Sequence, residues 1–365
     1  MRSITAAVLR EPGAPFSLES VELDDPREDE VLVRIVAAGI CHTDISAQSR
    51  IPTPAVLGHE GAGIVEAVGR AVTKVKKGDS VVLTFGFCGA CPSCYEGAPH
   101  RCDDMAALQF GCRRSDGSPT MNIGGDVVHG AFFQQSSFAT HALATERNTV
   151  PVSGGVPLHE LAPLGCGIQT GAGAVMNSLD VRAGESLAVF GVGSVGLSAV
   201  MAGVVVGALP IIAIDIHPQR LELARELGAS HTIDAREGDV SARVRAITGR
   251  GVNHSLETSA DEQAFNDAVT CLSMGGTCAL VTVPHLGAPF AFSPRSLIAL
   301  EATLKGVLEG SSVPDVFIPR LIDLYVAGKF PIDRLVTTYP FAYINQAIAD
   351  SHSGSAIKPV LLLPS

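Results

Sequence analysis

The chain is 365 residues long, 46% hydrophobic and 17% charged, with 38 glycines, no tryptophan and a formal net charge of −11. That length predicts two domains with large cores, and the acidic balance argues against nucleic acid as a partner. Nine cysteines, with no hydrophobic signal core at Met1–Thr5, predict thiolate ligands or free thiols in a cytoplasmic protein rather than disulfides.

Residues 1 to about 40 read as short β-structure, with a strand over Val31–Val36 after the charged loop Asp24–Glu30. Cys41-His42-Thr43-Asp44 stands at the end of that strand. A glycine-rich turn leads into a strand across Val56–Val65, a turn follows at Lys76–Asp79, and Ser80–Leu83 is the next strand. This succession predicts a barrel-like β domain rather than βαβ units.

Cys88, Cys91, Cys94 and Cys102 form C-x2-C-x2-C-x7-C. Four thiolates on one loop can close a tetrahedron around a soft divalent metal, leaving no open position, so this spacing predicts a structural site. An iron–sulfur cluster uses the same C-x2-C steps and is the rival. Residues 103–130 are predicted to be a long surface loop, broken by Gly111, Asp116-Gly117 and Gly124-Gly125. Cys41, His59 and Cys166 are too dispersed for spacing to connect them.

Gly165-Cys166-Gly167 opens a small-residue helix. From Leu187 to Ile214 no residue is charged, and the run is long enough to span a bilayer. Its five glycines and Pro210 fit better a strand at Leu187–Phe190, a turn, a helix and a strand at Ile211–Ile214. Gly191, Gly193 and Gly196 give G-x-G-x-x-G in that context, the dinucleotide fingerprint. The phosphates would meet the helix N-terminus around Ser194 and Val195. Asp215 lies about 20 residues on, where a carboxylate accepts from the ribose hydroxyls and repels a 2′-phosphate. NAD is therefore favoured over NADP.

Helices follow at Pro218–Leu227, Val240–Thr248 and Glu262–Leu272. They alternate with strands at His231–Ile233, Val252–Leu256 and Thr277–Val283. This alternation predicts a doubly wound parallel sheet. A helix at Pro319–Ala327 and a last strand at Pro359–Leu363 complete the pattern.

The matching stretches are G-I-C-H-T-D at 39–44, G-H-E-G-A-G-I-V at 58–65, the four-cysteine loop, G-C-G-I-Q-T-G at 165–171, G-V-G-S-V-G at 191–196 and I-D-I at 214–216. With these the chain resembles the zinc-dependent medium-chain alcohol dehydrogenases along nearly its whole length. G-C-G-I-Q-T-G-A-G-A-V is similar to the aryl-alcohol (benzyl-alcohol) dehydrogenase branch, which also accepts some terpene alcohols. The resemblance implies an α/β fold: a GroES-like β-barrel catalytic domain over 1–167, a Rossmann domain over 168–307, and a return to the catalytic domain over 308–365.

The resemblance further implies two zinc ions per chain, one catalytic on Cys41, His59 and Cys166 and one structural on the four-cysteine loop. Asp44 would orient His59, Glu60 would approach the metal, and Thr43 would take the substrate proton. His42 and Lys358 would lie by the cofactor pyrophosphate, Arg220 by the adenosine ribose, and Thr170 and Val283 along the cofactor. The implied reaction is NAD-dependent oxidation of a primary alcohol to the aldehyde by a homodimer, with a homotetramer as the alternative.

Two departures stand out. Ser46 occupies the place where many relatives carry the proton-relay histidine. The loop at 113–120 is similar to that of glutathione-dependent formaldehyde dehydrogenases, but Thr120 stands near the place of their substrate-binding arginine. A zinc-free quinone or enone reductase of the same superfamily is the remaining alternative.

Overall fold

The computed structural model describes residues 1–153, 155–282 and 289–364. The chain divides into two compact units. One is Met1–Cys166 with Val313–Val326 and Ile332–Ser365; the other is Gly167–Ser312 with Ala327–Pro331.

The first unit is built on two sheets. A seven-stranded sheet has Glu30–Gly39 at its centre, paired antiparallel with Glu60–Val68, His141–Thr145 and Lys358–Leu362. A five-stranded sheet runs in the order Ala55–Val56, Arg2–Leu9, Ser17–Leu23, Met121–Ile123 and Asp126–Val128. Val31, Val33 and Ile35 point to one face of the central strand and join Phe16, Phe138 and Leu361 in a single core. The final strand thus brings Lys358 beside Gly39 and Ile40, next to the start of the Cys41 segment.

Residues 103–130 differ from expectation. The glycines there do not mark an open loop: they separate a helix, Met105–Phe110, from a hairpin, Met121–Ile123 with Asp126–Val128. Met121 and Val128 enter the core. Arg114 fastens the segment from inside. Its guanidinium donates to both carboxylate oxygens of Glu30 (2.7 and 3.2 Å), to Asp24 Oδ2 (2.8 Å) and to the Pro119 carbonyl (2.6 Å).

The second unit is a six-stranded parallel sheet. Its strands, in spatial order, are His231–Asp234, Ile211–Asp215, Leu187–Phe190, Val252–Glu257, Leu272–Leu280 and Thr303–Gly306. The first strand in sequence lies beside the fourth, which is the switch point outside which ligands bind in doubly wound sheets. The uncharged run resolves as predicted into two strands joined by the helix Ser194–Val206. Among the described residues no helix is long and apolar enough to cross a membrane.

Two boundaries move. The strand expected at Thr277 begins at Leu272, with an irregularity in its pairing between Val252 and His254 that absorbs the extra residues. The helix expected from Pro319 begins at Pro314, a second proline suited to a first turn, and carries Pro319 within it.

Arg114→Ala is expected to lower stability by about 3–5 kcal/mol, because Glu30 would remain buried without its partner. A urea midpoint equal to wild type would show that this network does not fasten the segment.

Candidate metal centre and dinucleotide turn

Cys41 lies two residues past the central strand and caps the short helix His42–Ala47. His59 follows Gly58, whose φ of +93° and contact with the Phe138 backbone exclude a side chain. Cys166 follows the tight turn Ala162–Gly165. The fold brings these dispersed residues together: ligand atoms of Cys41, His59, Glu60 and Cys166 lie within 4.8 Å of one another.

One carboxylate aligns two of them. Asp44 accepts from the Cys41 N–H (2.9 Å), the Gly58 N–H (3.2 Å) and His59 Nδ1 (2.7 Å). That fixes the imidazole ring and leaves Nε2 buried without a hydrogen-bond partner. Cys166, working against burial and helped by His59, holds the Cys41 thiol well below its ordinary pKa. Burial opposes a charge on His59, but Asp44 and Cys41 outweigh it and hold the imidazole well above its ordinary value. The pocket is therefore electronegative. Two thiolates, an imidazole with an unmet Nε2 and a carboxylate within reach fit a soft divalent cation such as zinc.

Glu60 and Lys358 form a buried pair beside this cluster. Lys358 Nζ lies 2.8 and 2.9 Å from the two Glu60 oxygens and 3.1 Å from the Ile40 carbonyl. Burial raises the Glu60 pKa, and the lysine opposes the rise. Lys358, expected beside the pyrophosphate, instead lies in the interior at 1% exposure, with acceptors for all three protons. Gly39 makes room for the pair: a Cβ there would stand 2.1 Å from Glu60 Oε2.

Thr43 Oγ1 lies 3.8 Å from Cys41 Sγ, and His42 is exposed on the same helix. Ser46 Oγ donates to the Thr43 carbonyl (3.2 Å) and accepts from Arg50 (3.2 Å), so it is tied to its own helix rather than to the Thr43 hydroxyl. Aromatic rings surround His59. Phe133 stacks on it at 4.4 Å, Phe132 meets it edge-on at 5.7 Å, and Phe110 packs on both phenylalanines.

Cys88, Cys91, Cys94 and Cys102 form a second cluster, with sulfurs within 4.8 Å. Gly89 and Gly97 take positive φ and fold the chain around it. Backbone N–H groups of Cys88 and Ala90 donate to Cys102 Sγ (3.2 Å) and Cys88 Sγ (3.4 Å). The Asp103 and Cys94 N–H groups bring Cys91 down to about 7, while burial pushes Cys102 up to about 12. Four thiol sulfurs with N–H donors behind them fit a closed metal site.

In the second unit each glycine of the turn has a separate reason. Gly191 has φ +80°, and Gly196 sits so close to the Gly191 carbonyl that a Cβ would lie 2.0 Å from it. Gly193 is extended, and a Cβ there would meet only Arg220 Nη1 at 4.0 Å. Nothing in the fold demands glycine at 193, so the open space suits an incoming phosphate. Ser194 and Val195 are half-buried at the start of a helix whose N-terminus has no side-chain cap. Asp215 accepts from Val192, Ile216 and His217 N–H groups, with Arg220 Nη1 3.9 Å away. Thr170 is half-buried on the helix Gly167–Gly173. Val283 lies outside the described residues.

The loop at 113–120 offers little to a glutathione carboxylate. Arg114 is committed to Glu30 and Asp24, Arg113 donates to the Gly117 carbonyl, and Thr120 is buried.

A cluster with two thiols and an imidazole in one unit and a phosphate turn in the other define a metal-assisted dehydrogenase that uses a dinucleotide. Residues 27–154 match the alcohol dehydrogenase GroES-like domain, and residues 194–327 match the zinc-binding dehydrogenase domain. The chain is 47% identical over 364 residues to a geraniol dehydrogenase of Castellaniella defragrans, covering 99% of this chain and 98% of that one. A solved alcohol dehydrogenase zinc-binding domain protein from Burkholderia ambifaria is 51% identical, with full coverage of both chains and a TM-score of 0.98. A benzyl alcohol dehydrogenase structure from Acinetobacter calcoaceticus is 45% identical with full coverage and a TM-score of 0.96. The chain belongs to the zinc-dependent medium-chain alcohol dehydrogenase family, as an NAD-dependent enzyme.

Sequence reasoning did not single out Gln135, Thr84, Phe133 or the steric role of Gly39. Only Gly39 left a signal, standing two residues before Cys41 at a strand end.

Gly193→Ala is expected to keep stability within about 1 kcal/mol of wild type while weakening NADH binding about tenfold or more, ~1.4 kcal/mol, in a fluorescence titration. Gly196→Ala should instead lower stability by about 1–3 kcal/mol. Equal NADH affinity in Gly193→Ala would show that the turn does not approach the phosphates.

Proposed function

We propose that this enzyme oxidises a primary aryl or terpenyl alcohol to its aldehyde: R–CH2–OH + NAD⁺ gives R–CHO + NADH + H⁺, reversibly. The observation that carries this reading is the cluster of Cys41, His59 and Cys166 with Phe132 and Phe133 packed on His59 and Phe110 packed behind them. The aromatic wall suits an apolar, flat or branched alcohol. Relatives named for geraniol and benzyl alcohol give the same direction.

Cys41, His59 and Cys166 would hold a catalytic zinc, and Cys88, Cys91, Cys94 and Cys102 a structural one, making two per chain. Zinc, when bound, supplies Lewis acidity that lowers an alcohol's pKa by several units. Asp44 keeps the His59 tautomer with Nδ1 engaged and Nε2 directed at the cluster. Thr43 accepts the alcohol proton beside Cys41. With Ser46 tied to its own helix, the proton leaves through the exposed His42 or directly to water. Glu60 stands close enough to assist ligand exchange, its charge balanced by Lys358. At the cofactor, Gly191, Gly193, Ser194, Val195 and Gly196 receive the pyrophosphate, Asp215 accepts from the ribose hydroxyls, and Arg220 and Thr170 line its path. The apolar wall also excludes water, which would otherwise weaken every electrostatic contact in the site.

We infer a homodimer in the cytoplasm, where thiolate ligands stay reduced. The support is a sheet edge: among the described residues Thr303–Gly306 is the last strand of its sheet, with exposed Met274 and Ile298 on neighbouring elements. The mass in sedimentation equilibrium distinguishes this from the tetramer.

Cys166→Ser is expected to reduce turnover by about a thousandfold or more, the scale of several kcal/mol of Lewis-acid stabilisation, with NADH binding intact. Near-normal activity would remove the catalytic-zinc assignment. Metal analysis should find about two zinc ions per chain from these two sets of ligands; one would eliminate a site. In a panel, benzyl, cinnamyl and geranyl alcohols should give higher kcat/KM than ethanol, and a preference for ethanol would overturn the substrate class.

A further inference from the structure

Beside the Cys41–His59–Cys166 cluster lies a neutral side chain that hydrogen-bonds the backbone at His59 and Gly61. Gln135 is 1% exposed. Its Oε1 accepts from the Gly61 N–H at 3.1 Å, and its Nε2 donates to the His59 carbonyl at 2.9 Å and the Thr84 carbonyl at 3.1 Å. One amide therefore brackets His59, Glu60 and Gly61, using its acceptor and both donor protons. Thr84, fully buried, carries the connection onward: its Oγ1 donates to the Gly165 carbonyl at 2.8 Å, one residue before Cys166.

The loop that delivers Gln135 is strained. Ala131, Phe133, Gln134 and Ser136 all have φ between +52° and +57°, a region in which non-glycine residues are uncommon. The structure fastens it from three sides. Asn148 Nδ2 lies within 3.3 Å of the Phe133, Gln134 and Thr84 carbonyls. Ser136 Oγ accepts from the Phe132 N–H and donates to the Val56 carbonyl. Gln134 Nε2 donates to the Leu108 and Arg113 carbonyls. Backbone strain beside a site persists only where the surroundings over-determine it, and here the loop places Phe133 against the His59 ring and Gln135 against the His59 backbone.

We propose that Gln135 and Thr84 are positioning residues of the catalytic metal centre: the amide sets the His59–Gly61 backbone, and the threonine hydroxyl transmits the same constraint to Cys166. This rests on the assignment of Cys41, His59 and Cys166 as zinc ligands. Asp44 holds the imidazole ring and Gln135 holds its main chain, so the two fix different degrees of freedom of one ligand. A neutral amide does so without adding charge beside two thiols and the Glu60–Lys358 pair.

The test uses the zinc holoenzyme and its cobalt-exchanged form. Gln135→Glu keeps the length and an acceptor for Gly61 but removes both donations. It is expected to weaken one of the two bound zinc ions about tenfold in chelator competition, the scale of outer-contact loss at metal sites. It should also shift the cobalt d–d and thiolate charge-transfer bands and lower kcat more than it raises KM. Zinc at the four-cysteine loop and NADH binding should stay at wild-type values. A folded Gln135→Glu protein with wild-type metal affinity and an unchanged cobalt spectrum overturns the proposal. Should that variant not fold, Thr84→Val, nearly isosteric, removes the hydroxyl that reaches Gly165. It should shift the cobalt bands while folding normally, and an unshifted spectrum overturns the proposal equally. If Cys166→Ser retains both metals, the ligand assignment itself has failed, and that outcome is separate from either variant's result.

Discussion

Asp44 places a carboxylate in a dry interior and engages both oxygens there, on Cys41 N–H, Gly58 N–H and His59 Nδ1. A buried carboxylate is costly unless its lone pairs are met, so these three donors are held as firmly as they hold it. Two of them belong to the Cys41–His59–Cys166 cluster, and the third belongs to the glycine that turns the chain into His59. The register between the Cys41 helix and the His59 strand is therefore fixed by the same contact that selects the His59 tautomer.

The charges around that corner explain the rest of the pocket. Cys41, Cys166, Glu60 and Asp44 gather acidic groups with very little solvent. Within the group Lys358 is bound to Glu60. Against its burial, Asp44 and Cys41 favour positive charge on His59, and the same groups would favour a divalent cation there. Lys358 thus balances the charge of Glu60. Gly39 permits this arrangement by having no side chain where the Glu60 carboxylate must lie.

What the sequence disclosed follows from how local each signal is. The turn at Gly191–Gly196 and the carboxylate of Asp215 are legible because strand, glycines, helix and acid sit within one βαβ unit, and each glycine has a local reason. The four-cysteine loop is legible for the same cause. Cys41, His59 and Cys166 are far apart in sequence, and only the family resemblance joined them. Lys358 was misplaced because a basic residue in a tail gives no sign that Glu60, 298 positions earlier, will bury it. The segment 103–130 was misread because its glycines are local and visible, whereas the Arg114 bonds that order it reach back to Asp24 and Glu30. Gln135 was invisible because its partners are main-chain groups at 59, 61 and 84, and a backbone carbonyl leaves no trace in residue type.

The left-handed run at 131–136 shows why glycine is not the residue of choice there. Glycine would adopt those φ values without the cost of order 1 kcal/mol that each other residue bears. It would also remove the Phe133 ring from His59 and the Gln134 amide that ties the loop to residues 108 and 113. The chain keeps side chains in a backbone conformation that disfavours them, because the side chains act at the site and the conformation aims them. Asn148 resolves the conflict: with its amide near three carbonyls of this region and its oxygen on Thr145, it stabilises the loop from a neighbouring turn that needs no strain of its own. Strain, stacked rings and backbone bracket are thus parts of one arrangement, in which the His59 ring and the His59 main chain are each held by residues of the same loop.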